Sequence, residues 1–245
     1  MKYTKPNLPK TNVKDMLVSS IISEEIYNEL KKLGINPLKC GKTNRIVSEL
    51  AYHPDILAFN YKAGKWISEE DNSLLPDNMN NLLTSVRYRL GNKYPADCIF
   101  NSFAINNNIF CGRVNYGPYT NIKELSGYNL ITFKQGYAKC SVIIINENSF
   151  ITGDKSIEKK LKEIKYDCLY VTNECIGLNG FKNGFIGGCA GKASKDLLLF
   201  TGNIKLHNDY ENIKAFCRNY DVDIYSLSNR RLYDYGGLLP VTETE

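Results

Sequence analysis

Three cysteines stand at the same point of a recurring sequence block, and thiols offer the widest chemistry among the side chains of this sequence. The blocks each open on a small residue and close on glycine, at Ala51 to Gly64, Cys98 to Gly112, Cys140 to Gly153 and Cys189 to Gly202. Successive blocks start 47, 42 and 49 residues apart. A thiolate is a nucleophile and a metal ligand, so this recurrence marks a candidate site. The structural alternative is packing of small, weakly polar residues, with which Ala51 agrees.

Cys140 is the best candidate for a reactive thiol among the three. A neighbouring positive charge lowers a thiol pKa and favours the thiolate, and Lys139 precedes Cys140 directly. Ser141 follows it and is expected to point toward the same place. Asp55, Lys139 and Glu243 are together expected to bind a zwitterionic ligand. Cys98 and Cys189 complete the predicted ligand-binding group.

Of the two histidines, His53 is the one that the sequence places for catalysis. His207 falls at the start of a predicted peripheral helix, whereas His53-Pro54-Asp55 is predicted to lie on an inner strand. An imidazole with a carboxylate two residues away on one strand face is suited to act as a general base. Pro54 equally suits a strand start or a structural turn, so both interpretations stay open.

Each block is typical of a β-hairpin, and a helix and a third strand follow two of them. Apolar runs flank polar turns such as Asn106-Asn107-Asn108, and asparagine tolerates the positive φ that these turns need. Amphipathic helices are predicted over 156–164 and 208–216, with third strands over 168–172 and 222–227. In the Ala51 block a partial helix is predicted over 79–90, without a clear third strand. The predicted unit is β-β-α-β.

A fifth unit is divided between the two ends of the chain. Residues 16–40 read strand, helix, strand, and residues 235–241 follow Cys189 in phase with the other blocks. We therefore expect 235–241 to pair with a strand near 16–19, which removes exposed sheet edges. The prediction is one α/β domain over residues 1–245, a five-bladed propeller with pseudo-fivefold symmetry. Its inner strand ends converge on an axis, where a site is expected.

Composition excludes several classes of protein. Hydrophobic residues make up 43% and charged residues 23% of the 245, the ordinary globular range. The net charge of +5 is scattered, so no nucleic acid partner is expected. No signal peptide or membrane span is recognisable, so the protein is expected in the cytoplasm with reduced thiols. The sequence contains no CxxC pattern, so no metal site is predicted. The string GGCAGKAS lacks the spacing of a phosphate loop, so no cofactor is expected.

A ring of five such units with permuted termini resembles the penteins, the guanidino-group modifying superfamily of arginine deiminases, dimethylarginine hydrolases and amidinotransferases. The resemblance covers nearly the whole chain and adds two strings, GFIGGCAGKASKDLLLFTG over 184–202 and YGGLLPV over 235–241. It is closest to a divergent bacterial branch. It implies a cysteine nucleophile near the C-terminus, a histidine acid/base and carboxylates that hold the cation.

The positions that match the family's machinery hold other residues in this chain. The dimethylarginine hydrolase pattern places its nucleophile at Val241 and its histidine at Ile186, and a substrate carboxylate falls on Ser141-Val142. Neither Val241 nor Ile186 can exchange a proton or attack a carbon. The resemblance therefore implies a pentein that lacks this machinery and binds a small cationic or zwitterionic, arginine-like ligand in its axial pocket.

Two alternatives to this ligand-binding interpretation stay open. One is a divergent thiol hydrolase acting on C–N bonds of guanidino compounds, with Cys140 or Cys189 as nucleophile and His53 as its partner. The other is a macromolecular binder that uses the same ring without catalysis. An open axis lined by acidic groups and thiols would favour a ligand or an enzyme, and a filled axis would favour the binder.

Overall fold

A computed structural model describes residues 2–70 and 74–245 as a mixed α/β fold with several small sheets. The strands are β1 (Lys2–Tyr3), β2 (Val13–Val18), β3 (Asn36–Lys39), β4 (Ala58–Lys62), β5 (Lys65–Glu69), β6 (Leu83–Val86), β7 (Phe103–Ile105), β8 (Asn108–Gly112), β9 (Asn129–Phe133), β10 (Val142–Asn146), β11 (Ser149–Thr152), β12 (Asp167–Tyr170), β13 (Ala190–Ser194), β14 (Leu197–Phe200), β15 (Asp223–Ser226) and β16 (Leu239–Glu243). The α-helices are α1 (Glu24–Lys32), α2 (Pro54–Leu57), α3 (Tyr116–Thr120), α4 (Lys155–Glu163) and α5 (Tyr210–Arg218).

Short 3-10 helices complete the described secondary structure. They span Asp77–Leu82, Ala96–Cys98, Arg113–Asn115, Lys123–Leu125, Ile186–Cys189 and Ile204–Leu206. Two of them, Ala96–Cys98 and Ile186–Cys189, end a few residues before the first strand of a sheet. Such tight turns bring the chain inward before it enters the strand.

Four three-stranded sheets share one topology within the described residues. Their orders are β4-β5-β6, β7-β8-β9, β10-β11-β12 and β13-β14-β15, and in each the first pair is antiparallel and the second parallel. Parallel neighbours need a crossover connection, and a helix lies in each one. The helices predicted over 156–164 and 208–216 are α4 and α5, within two residues at each end.

The two ends of the chain lie in one four-stranded sheet, in the order β1-β16-β2-β3. Leu239 pairs with Leu17 and Pro240 with Met16, antiparallel, while β2 and β3 are parallel. Helix α1 joins β2 to β3. The prediction that residues 235–241 pair with a strand near 16–19 is therefore confirmed.

The Ala51 block differs from its prediction in two places. His53 does not lie on a strand; it is the N-cap of α2, and the first strand begins only at Ala58. Proline is favoured in the first turn of a helix, and Pro54 takes that place. The helix predicted over 79–90 ends at Leu82, and the third strand that the sequence did not reveal is β6.

The core consists of apolar side chains shared between neighbouring sheets. Phe103 and Phe110 stack with ring centroids 4.7 Å apart, and both contact Phe150 of the next sheet at 5.9 and 6.0 Å. Asn106 turns the first of these hairpins with φ 52°, as its residue type predicts. Among the described residues, every helix is too short or too polar to cross a bilayer.

Candidate functional site

The segments that lead into β4, β7, β10, β13 and β16 meet at one buried place. Six polar side chains from four of these segments form a group that we call the central cluster: His53, Asp55, Asn101, Lys139, Cys140 and Asp234. The fifth segment contributes glycine backbone, because Gly188 donates its N–H to Cys140 O at 3.0 Å and accepts from Gly237 N at 2.8 Å. These two bonds join the segment before β13 to the segments before β10 and β16.

Cys140 is held in the central cluster by two polar side chains. Its Sγ–H donates to Asp55 Oδ2 at 2.9 Å, and Asn101 Nδ2 donates to the same sulfur at 3.1 Å. Asn101 Oδ1 accepts from the backbone N–H groups of Lys139 and Cys140 at 2.8 and 3.0 Å. Asn101 therefore positions both the thiol and the backbone that carries it.

His53 is the least satisfied member of the central cluster. Its Nδ1 lies 3.7 Å from Asp234 Oδ1, beyond hydrogen-bond distance, and neither ring nitrogen has a hydrogen-bond partner. Asp55 Oδ1 is also buried without a partner. Buried polar atoms almost always have partners, so three unpartnered atoms on two neighbouring side chains make this cluster the candidate site.

Burial controls the protonation of the central cluster. It raises the pKa of Asp55 to about 7, although the charge of the Lys139 ammonium favours the carboxylate and opposes this shift. Burial, followed by the charges of Asp55 and Asp234, raises the pKa of Cys140 well above its ordinary value. Burial also lowers the pKa of His53, although the Asp234 carboxylate opposes it. Desolvation therefore acts against the thiolate that Lys139 was expected to favour at Cys140.

Glycines let the backbone approach this closely. A Cβ on Gly188 would lie 1.8 Å from Asp234 Oδ1, and Gly236, with φ +79°, would place one 2.5 Å from the Cβ of His53. In the GGCAGKAS string a Cβ on Gly187 would lie 2.5 Å from the backbone oxygens of Lys139 and Val142. The following residues form β13, not the helix that a phosphate loop requires.

Little space is left beside the central cluster. Asp55 and Lys139 border one cavity of about 10 Å³, and Lys139 borders a second of the same volume. Asn7 lines both cavities. It belongs to residues 4–11, which we call the N-terminal segment, and Thr4 N donates to Val241 O at 3.1 Å to hold this segment in place. The N-terminal segment thus covers the central cluster.

Four residues predicted to bind the ligand make no hydrogen bond to a side chain of the central cluster: Cys98, Ser141, Cys189 and Glu243. Cys98 Sγ donates to Pro95 O at 3.3 Å and Cys189 Sγ to Phe185 O at 3.4 Å, so each of these thiols has a local backbone partner. Ser141 is buried beside Cys140, but its Oγ has no hydrogen-bond partner.

Glu243 is the clearest departure from the predicted site. It accepts hydrogen bonds from the backbone N–H groups of Lys10 and Thr11 and so fastens the N-terminal segment. It stands four residues beyond Leu239, which borders a small cavity, and a strand rises about 3.3 Å per residue. Among the described residues, the side-chain hydrogen bonds and ion pair of Glu243 go to Lys10, Thr11 and Lys2 and none goes to Asp55 or Lys139.

Sequence reasoning missed Asn101 and Asp234. The blocks were aligned on their cysteines, whereas Asn101 and Cys140 both stand two residues before the first strand of their sheets. Counting back from the hairpins would have aligned them. Asp234 precedes the paired glycines of the last block, a signal that the strand pattern alone did not include.

One group within the described residues has the donors of a metal site. A ring nitrogen of His53, a carboxylate oxygen of Asp55 and the sulfur of Cys140 all lie within 4.8 Å of one another, and all three side chains are buried. His53 and Asp55 come from the turn into α2, and Cys140 from the segment before β10. Their separation in the chain explains why no spacing pattern revealed them.

Solved structures with the same fold include two amidinotransferases and a deiminase. SxtG, an amidinotransferase from Microseira wollei in the saxitoxin biosynthetic pathway, is 8% identical with a TM-score of 0.60, covering 100% of this chain and 98% of its own. Inosamine-phosphate amidinotransferase StrB1 from Streptomyces griseus is 10% identical with a TM-score of 0.60, covering 100% and 98%. Agmatine deiminase from C. jejuni is 13% identical with a TM-score of 0.58, covering 100% and 97%.

These likenesses establish the pentein fold that the sequence resemblance predicted. No curated protein matches the sequence. One family profile matches residues 17–239, nearly the whole chain. The chain therefore belongs to the family described as a family of unknown function, DUF6873.

Proposed function

We propose that this protein is a single-domain, five-bladed pentein propeller that binds a small cation at the central cluster and does not catalyse guanidino-group hydrolysis. The contacts between the segments before β4, β7, β10, β13 and β16 support the ring. All eight cysteines are free, which fits the reducing cytoplasm as its compartment.

The proposal rests on the buried carboxylate of Asp55, one oxygen of which has no hydrogen-bond partner. That oxygen is Oδ1, and a second carboxylate, Asp234, lies in the same cluster. Lys139 is the one ammonium of the central cluster, so it offsets only one of the two carboxylates. Burial makes the charged form of Asp55 costly, which is why its pKa is raised, and a bound cation would stabilise that form.

The residues at the positions that match the pentein nucleophile and histidine cannot carry out guanidino-group hydrolysis. Val241 and Ile186 are buried among apolar side chains, in β16 and in the 3-10 helix Ile186–Cys189 respectively. An apolar side chain supplies neither a nucleophile nor a proton carrier. The cation is therefore a ligand in this proposal, of the cationic or zwitterionic, arginine-like kind if it is organic.

An organic cation needs the N-terminal segment to move. The cavity beside Asp55 holds about 10 Å³, roughly one water molecule, and Asn7 lies between it and the outside. The nearly filled centre is also what a macromolecular binder would have. Against that alternative, a centre with a purely structural role would be expected to satisfy its polar atoms, and His53 and Asp55 do not.

A divergent thiol hydrolase is the second candidate, because Cys140, His53 and Asp55 lie within 4.8 Å of one another. A nucleophile, an acid/base and a carboxylate are the groups that such a reaction needs. The Cys140 thiol donates a hydrogen bond to Asp55 and none to His53, however, and burial raises its pKa well above the ordinary value, so the thiolate is disfavoured in the resting arrangement.

The proposal is tested by thermal unfolding of the full chain with agmatine, arginine, guanidinium chloride and divalent metal chlorides. A ligand at 100 times its Kd stabilises a protein by about 2.7 kcal/mol. We expect at least one cation to stabilise the wild type and to lose this effect in Asp55→Asn. The matched control is Asp77→Asn, an exposed carboxylate on a 3-10 helix. An Asp55→Asn protein that responds as the wild type does, or no response to any cation, would contradict the proposal.

A further inference from the structure

Three different kinds of donor atom meet in the central cluster. The nitrogen of His53, the oxygen of Asp55 and the sulfur of Cys140 lie within 4.8 Å of one another, and each side chain is at most 2% exposed. Groups of exposed carboxylates are common on protein surfaces because water solvates them. A fully buried group of three donors lacks that explanation.

Two of the three unpartnered atoms of this group are acceptors. Asp55 Oδ1 and both ring nitrogens of His53 have no hydrogen-bond partner. A carboxylate oxygen donates no proton, and a neutral imidazole keeps one nitrogen lone pair. Two lone pairs, on different side chains, therefore face a volume in which no protein donor serves them.

We infer that His53, Asp55 and Cys140 bind a divalent transition-metal ion, with zinc as the best fit. This inference rests on the proposed cation site and names its cation. Thiolate, imidazole and carboxylate together are the ligands of zinc in proteins. Bonds of about 2.0–2.3 Å to a tetrahedral zinc place neighbouring donors about 3.3–3.8 Å apart. From a separation of at most 4.8 Å, the three donors would have to close by up to about 1.5 Å.

The proton and the charges balance in this site. A metal–sulfur bond replaces the S–H bond of Cys140, and the released proton goes to solvent. The thiolate, the Asp55 and Asp234 carboxylates and the Lys139 ammonium then leave two net negative charges, which a divalent ion neutralises. Asp234 Oδ1, 3.7 Å from His53 Nδ1, supplies a further carboxylate at the edge of the site.

The separation of the donors also favours a single ion. The three donor atoms lie within 4.8 Å of one another, which is too close for a guanidinium group, with four heavy atoms in a plane, to lie between them. A single metal ion is small enough to contact all three donors once they close around it.

Cobalt(II) titration of the purified full chain under reducing conditions is the experiment that tests this inference. We expect one ion per chain and a near-ultraviolet thiolate-to-cobalt charge-transfer band, which zinc displaces. Cys140→Ser should abolish the band and weaken zinc binding by at least about 100-fold. The matched control is Cys189→Ser, another fully buried thiol bonded to a backbone carbonyl, which should keep the band. Asp55→Asn should weaken binding while retaining the charge-transfer band at saturating cobalt.

Two results would overturn the metal site. One is a wild-type chain that shows no cobalt band and no stoichiometric zinc. The other is a band that survives Cys140→Ser, which would place the ion at another thiol. If cobalt and zinc do not bind, but agmatine or arginine stabilises the wild type and not Asp55→Asn, the proposed cation site is supported and the proposal that its cation is a metal is wrong. If neither kind of cation binds, both proposals fall.

Discussion

Cys140 donates its Sγ–H to Asp55 Oδ2 over 2.9 Å, and both side chains are buried. Because the thiolate is the reactive form of cysteine, and burial raises the pKa of Cys140 well above its ordinary value, this thiol should be inert. Cys175 is the one cysteine that is partly exposed.

We expect brief iodoacetamide treatment of the native protein to label Cys175 first. Cys140 and Cys189 should react at least about tenfold more slowly, since both are buried with raised pKa values. Mass spectrometry of the labelled peptides measures the order, and labelling in denaturant, where all eight thiols should react, is the control. Preferential labelling of native Cys140 would instead support the thiol hydrolase.

Gly188→Ala should destabilise the fold through the central cluster. The added Cβ would lie 1.8 Å from Asp234 Oδ1, so Asp234 or the backbone must shift. Overpacking of this kind costs about 1–3 kcal/mol, occasionally more, which denaturant unfolding would measure. Gly127→Ala is the control, because no atom lies within 4 Å of its Cβ position; it should change the free energy of unfolding by less than about 0.5 kcal/mol. Equal effects at both positions would contradict the close approach.

The fold could be predicted from the sequence wherever local pattern and spacing agree. The pairing of β16 with β2 followed from the phase of residues 235–241, and α4 followed from the spacing of Ile157 and Leu161, both of which are buried. The turn into α2 could not be predicted, because Pro54 suits both a strand start and the first turn of a helix.

The site was predictable by residue type but not by geometry. His53, Asp55, Lys139 and Cys140 were recognised, since few other residues could do chemistry. The protonation of Cys140 was not, because the effect of Lys139 depends on desolvation by segments far away in the chain. Asn101 was missed for a related reason: its role is to hold backbone N–H groups, which no motif records.

Removing residues 236–245 should prevent stable folding. Strand β16 lies between β1 and β2, and the deletion exposes both neighbours and removes the buried Leu238, Leu239 and Val241. Each large apolar side chain contributes about 1.5–3 kcal/mol, against a typical total stability of about 5–15 kcal/mol. We expect an insoluble or molten protein without near-ultraviolet circular dichroism. Removal of Glu245 alone, which is exposed, should be tolerated; a soluble, cooperatively unfolding 1–235 chain would contradict the role of β16.

The protein should release no ureido product from arginine, agmatine or methylated arginines. The residues at the matched catalytic positions, Val241 and Ile186, are buried and apolar. A colorimetric ureido assay over hours measures this, with the Cys140→Ser, Cys189→Ser double variant beside the wild type. Turnover by the wild type that the double variant lacks would establish the thiol hydrolase. Turnover by both would overturn the thiol alternative and the binding proposal together.

Lys192 offers a prediction about pH that is separate from the central cluster. Its Nζ donates to Ile145 O at 2.8 Å and to Lys195 O, and the side chain is buried in β13. Burial lowers the pKa of Lys192 to about 8. A neutral amine still has two N–H donors, which is the number that the two carbonyl groups require.

The stability that Lys192 contributes should rise between pH 8 and 10.5. A lysine whose folded pKa lies near 8 binds fewer protons in the folded chain than in the unfolded chain, whose pKa is near 10.5, so the free energy of unfolding increases with pH in this window. Relative to Lys192→Met, which cannot titrate there, the wild type should gain up to about 3 kcal/mol. Denaturant unfolding at pH 7.5, 9 and 10.5 measures the difference, in which the other lysines cancel. Lys195→Met, at an exposed position of the same hairpin, should show no such slope. A flat difference for Lys192→Met would mean that the ammonium stays charged at no cost.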